Sequence, residues 1–162
     1  MTNVPDAETR PDAAQLVAAY RQVLTWLGAG TALGACAELA MLRHWQGPGQ
    51  LVPWALLVLL LGAAAAWLVR RSTATARALR TVAVVTALGS AYGVYEHLKG
   101  NLAAGPSSAR YAESWASMPA ASHLWAAASG AVGASPLLAP GMVGLAGVLL
   151  WLAVLGWRDR GA

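Results

Sequence analysis

The sequence predicts an all-α membrane protein: four transmembrane helices in a bundle, N-in and C-in, with a long, partly helical extracytoplasmic loop between helices 3 and 4. Three observations lead there. The 162 residues are 57% hydrophobic and only 11% charged, whereas a soluble domain carries about a quarter charged residues. Four apolar runs have the roughly 20-residue length that a bilayer demands. The basic residues gather at alternate ends of those runs, as the positive-inside rule requires of a multipass chain.

The elements follow in order. Residues 1–19 hold Asp6, Glu8, Arg10 and Asp12 with two prolines, and read as a flexible cytoplasmic tail. A secretory signal is not expected, since a basic start and a cleavage site are both missing. The first span covers about 20–42 and carries one interior charge, Glu38. Gln46-Gly47-Pro48-Gly49 makes a tight turn into the second span, 51–69, which is uncharged and has Pro53 near its start. A basic connection with Arg70, Arg71, Arg77 and Arg80 leads to the third span, 81–98, which ends in Tyr92, Tyr95, Glu96 and His97. The outer loop, 100–136, is too long to be featureless. Ser107 and Ser108 can start one short helix there and Pro119 another, carrying His123. The fourth span is 137–157, leaving 158–162 as a cytoplasmic C-terminus. Lipid offers a backbone no hydrogen-bond partners, so each run should be helical.

Eight arginines (Arg10, Arg21, Arg70, Arg71, Arg77, Arg80, Arg158, Arg160) fall on the side of the termini, against Arg43, Lys99 and Arg110 on the other. The positive charge is thereby explained as an orientation signal in the cell membrane, and no nucleic-acid partner is needed. Sorted this way, all three histidines and the embedded carboxylates Glu38 and Glu96 lie at the outer face.

Ionisable groups in a span cost several kcal/mol unless paired or hydrated, so this outer cluster is where function is sought. Glu38, His97, Glu96, Tyr92 and Tyr95 are the candidate ligand-binding residues. Glu38, His97, His44 and His123 form a candidate metal set, whose imidazole and carboxylate donors suit a divalent transition metal as cofactor. Gly30, Gly34 and Glu38 share one stripe of the first span, and Gly89, Gly93 and His97 one of the third. If the stripes face each other, Glu38 meets His97. His123 is expected to approach from the loop.

The expected function is therefore binding of a small ligand or divalent metal at an outer Glu/His site. Three alternatives stand beside it. A proton-coupled small transporter would use a carboxylate to exchange protons with a cation. An accessory subunit would bind a second copy or another membrane protein through glycine-rich faces such as Gly141, Gly144 and Gly147. A membrane enzyme acting on a lipid-soluble substrate would need acid–base work from Glu38, Glu96 and His97. No catalytic nucleophile stands out: Cys36 is the single cysteine, flanked by alanines, which also excludes an internal disulfide.

Overall fold

Helix α1, Ala13–Met41, starts seven residues earlier than the apolar run alone implies. The computed structural model describes residues 12–158; the rest of the expected tail and most of the C-terminus lie outside them. At the start of α1 the Gln15 side chain accepts from the Asp12 N–H at 3.3 Å. Its end is a Schellman closure: the Arg43 N–H donates to the Ala40 carbonyl at 3.1 Å and the His44 N–H to Leu39 at 2.9 Å. That closure needs a left-handed residue, and Arg43 takes the position glycine usually fills, with φ at 50°.

Helix α2, Pro48–Val69, places Pro48 in its first turn, where the missing N–H would be unpaired anyway, and Pro53 one turn further in. Helix α3, Thr73–Ala104, is 32 residues long, about 48 Å at 1.5 Å per residue. The Ser72 hydroxyl accepts from the Thr75 N–H at 3.2 Å to cap it. It overshoots the expected span at both ends. The connection between α3 and the last helix contains 3₁₀ turns at Gly105–Ser107 and Trp115–Ser117 and one α-helix, α4, Ala120–Ala128. The helix expected to follow Pro119 is thus present, whereas the one expected after Ser108 is a run of turns. Helix α5, Leu138–Ala153, is shorter than the expected 137–157, because the chain turns at Val154 and passes through Gly156 at φ 66°. Among the described residues there is no β-strand.

The bundle is organised around α5, which wedges between α1 and α3 and packs against both; α2 lies mainly against α3. Glycines set these approaches. A Cβ on Gly28 would stand 2.6 Å from Leu150 Cγ, and one on Gly147 would stand 2.9 Å from the Ala83 carbonyl. Gly144 abuts Ser90, and Gly89 abuts Leu56. The facing-stripe arrangement of α1 and α3 is therefore not formed: Gly30 and Gly34 meet nothing, and Gly93 touches Pro140 of α5. Gly144 and Gly147 also serve internal packing, leaving Gly141 as the open glycine of that trio. Small residues do pack the helices, but through a third helix.

The core between the helices contains Ala32, Leu39, Leu57, Leu60, Ala64, Trp67, Leu79, Ala83, Ala146 and Leu150, all buried. Large apolar side chains such as Trp26, Leu27, Leu33, Val58, Leu59, Leu88 and Val148 project outward instead. By length and composition α1 and α2 are each able to cross a membrane; α5 is apolar but only 16 residues long.

The end of α5 is held by two arginines. Arg21 donates to the carbonyls of Ala153 at 3.1 Å and Leu155 at 2.9 Å. Arg80 donates to Val154 through Nε at 3.2 Å and Nη2 at 2.9 Å, and to Trp157 at 3.3 Å. A helix C-terminus exposes unpaired carbonyls and negative dipole, so two guanidinium forks complement it. Arg21 also lies over the Trp157 ring, 5.6 Å from its centroid, and Trp157 meets Trp67 edge-on at 4.7 Å.

Candidate functional site: a cleft at the histidine end

At the opposite end of the bundle, α2, α3 and α5 part to leave a cleft of about 610 Å³. Its polar wall consists of His44, Gln50, Ser90, Tyr92, Glu96 and His97, and its floor includes Leu39, Leu56 and Val143. Each polar group is placed by a local cause. His44 follows the Schellman closure, and its carbonyl accepts from Trp54 Nε1 at 2.7 Å, which ties the turn to α2. Gln50 stands at the start of α2, its Oε1 accepting from the Gln46 N–H at 2.7 Å. Ser90, Tyr92, Glu96 and His97 come from the C-terminal half of α3.

Two backbone carbonyls shape the hydrogen bonding. The carbonyl of Pro136, which lies just ahead of α5 and outside its hydrogen-bond ladder, accepts from His97 Nδ1 at 2.9 Å. A carbonyl can only accept, so Nδ1 carries the proton and neutral His97 presents a lone pair at Nε2. Pro53, inside α2, has no N–H to offer the carbonyl of Gly49, another cleft residue. The Ser90 hydroxyl donates to the Pro140 carbonyl. Burial, and secondarily the His97 imidazole, push the His44 pKa down from its ordinary value. Glu96 makes one exposed ion pair, to Lys99 at 3.6 Å.

The third wall is the folded loop. Asn101, 1% exposed, donates through Nδ2 to the carbonyls of Ala127 at 3.0 Å and Ser135 at 2.9 Å, and its Oδ1 accepts from the Ser135 N–H at 3.1 Å. Ala126, Ala127 and Val132 are buried against Leu98, Leu102, Tyr111 and Trp115, giving the loop a small core of its own. Gly133, with φ 74°, lies against Asn101 so closely that a Cβ would stand 2.1 Å from Oδ1. This cap fixes Ala134, Ser135 and Pro136 along the cleft.

The sequence-derived residues divide accordingly. His97, Glu96, Tyr92 and His44 share the cleft. Tyr95 is exposed on α3 with its ring 6.4 Å from that of Tyr92. Glu38 is not a cleft residue: its neighbours Leu39 and Leu42 line the cleft in its place. His123 is committed within the cap: Nε2 donates to the Trp115 carbonyl at 2.7 Å and the imidazole stacks on the Trp115 ring at 4.2 Å. Among the described residues no group of three His, Cys, Asp or Glu is arranged to hold a metal ion. Gln50, Ser90, Gly49 and Pro136 enter the site from positions that sequence reading passed over. For Gly49, Pro53 four residues later was the available signal.

Comparison with family models, with curated proteins and with solved structures finds no match to this chain. The functional reading therefore rests on the cleft.

Proposed function

We propose that this chain is a multipass protein of the cell membrane, crossing it with α1, α2, α3 and α5, and that its outer cleft binds a small ligand. The observation that carries the reading is the cleft itself: about 610 Å³, within the range of small-molecule sites, with an apolar floor and a few convergent polar groups. The outward-facing leucines, valines and tryptophans favour a lipid surroundings for the bundle. Arg21, Arg70, Arg71, Arg77, Arg80 and Arg158 at the end away from the histidines favour cytoplasmic termini and an outward cleft.

Binding is favoured over passage by what lies beneath the floor: Leu57, Leu60, Ala83 and Leu150 are almost completely buried. A small ligand is favoured over a tightly held metal because the cleft offers only two imidazoles and one carboxylate, and Glu96 and His97, adjacent on α3, point about 100° apart.

The test uses native mass spectrometry of the protein taken directly from its membranes, with Val52→Trp as a plug at a half-exposed cleft position. Wild type should carry an adduct of ligand size that Val52→Trp lacks. Equal adduct patterns in the two proteins would overturn the reading. Topology is checked in a Cys36→Ala background: an impermeant maleimide should label Gln50→Cys in intact cells, and Ala74→Cys only after permeabilisation.

A further inference from the structure

We infer that the cleft selects a ligand whose head group donates hydrogen bonds, a primary ammonium on an apolar body, as opposed to an anionic or fully alkylated head. This rests on the cleft being a ligand site, and it follows from which hydrogen-bonding capacities remain open there.

On the donor side, two of the cleft's side chains have fixed partners. The His97 Nδ1–H goes to the Pro136 carbonyl and the Ser90 hydroxyl proton to the Pro140 carbonyl. Pro53, Pro136 and Pro140 line the cleft and have no N–H at all. What remains are the Gln50 NH2 group, the Tyr92 and Ser135 hydroxyls and one ring N–H of His44.

On the acceptor side, the openings are several. Neutral His97 offers Nε2, Gly49 a carbonyl relieved of its helical partner by Pro53, and Ser90 the lone pairs of its hydroxyl. The Glu96 carboxylate has two oxygens with about four lone-pair sites. One of them, Oε2, faces Lys99 at 3.6 Å. Glu96 is also the one charged side chain among the cleft residues, and no arginine or lysine lines it. An anion would meet a carboxylate and a surplus of lone pairs; an ammonium would meet a counter-charge, several acceptors and the face of Tyr92. Leu39, Leu56, Val52 and Val143 then suit an alkyl or aryl body.

The experiment compares three probes with one apolar tail on full-length protein in nanodiscs: octylammonium, octyltrimethylammonium and octanoate. Saturable binding is taken as wild type minus Val52→Trp, which removes partition into lipid. Octylammonium should bind about tenfold more tightly than either other probe, as loss of charge-assisted hydrogen bonds implies. Glu96→Gln, a partly exposed position that leaves the packing alone, should weaken it by about tenfold. Equal binding of the two ammonium probes, or tighter binding of octanoate, would overturn the donor selection while leaving a ligand site in place. No difference between wild type and Val52→Trp for any probe would overturn the site and the selection together.

Discussion

Replacing Asn101 by alanine should release the loop that walls the cleft without unfolding the bundle. Asn101 is 1% exposed and makes three hydrogen bonds to backbone groups of Ala127 and Ser135. At about 1 kcal/mol net apiece, their loss destabilises the cap by about 3 kcal/mol. Each 1.4 kcal/mol is about tenfold in an opening equilibrium, so cap amides should exchange with solvent about 100-fold faster. Hydrogen exchange followed by mass spectrometry in nanodiscs reads this segment by segment. Peptides from α4 and residues 129–135 should accelerate, while those holding Leu57, Leu60, Ala83 and Leu150 keep their protection. Cap exchange within about threefold of wild type would refute the assignment of Asn101 as the pin, and acceleration throughout the chain would refute the independence of the cap.

Other substitutions probe separate parts of the account. Arg43→Gly should stabilise the protein by about 0.5–1 kcal/mol in reversible unfolding, since the left-handed closure at φ 50° suits glycine; a loss would contradict the closure. Gly133→Ala should disrupt the cap, where its Cβ would collide with Asn101, whereas Gly130→Ala, at the same φ of 74° but in open space, should cost only about 1 kcal/mol. Arg80→Met removes a guanidinium from the carbonyls of Val154 and Trp157 and should lower stability by about 2–3 kcal/mol. Arg80→Lys should recover only part of this, because an ammonium cannot fork. His44 has its pKa lowered by burial and by His97, so the native state binds fewer protons there than the unfolded chain. Its contribution to stability is complete above about pH 6.5 and is lost as pH falls through the lowered value. His44→Gln should flatten that slope in thermal unfolding between about pH 7 and 5, with His97, Glu96 and Arg43 as the neighbouring charges that stay.

Much of the helical framework was readable from run length, because an apolar run bounded by charge has few structural solutions. The helix ends were less so. Thr73 to Arg80 and Lys99 to Ala104 extend α3 through polar sequence, held by the Ser72 cap and by Asn101, the sole asparagine among residues 12–158. Helix partners were least legible. A chain this rich in glycine and alanine presents small residues on every face, and a stripe such as Gly30 and Gly34 specifies close approach without naming the neighbour. Arg21 of α1 and Arg80 of α3 share a partner instead in the end of α5. In the site, sorting charges by side of the bundle found His44, Tyr92, Glu96 and His97. It missed Gly49, whose part depends on Pro53 four residues later, and Pro136, whose part depends on the loop fold that brings its carbonyl to His97.

The central claim is that His97 is fixed with its proton on Nδ1 and turns Nε2 to a bound donor. The chain has three histidines, few enough to assign one by one in nitrogen-15 spectra of histidine-labelled protein in nanodiscs, using His44→Gln and His123→Gln for identification. The account predicts that neutral His97 appears as the Nδ1–H tautomer and that its Nε2 signal moves when octylammonium saturates the cleft. A neutral His97 protonated on Nε2, or an Nε2 signal indifferent to saturating octylammonium, would contradict it.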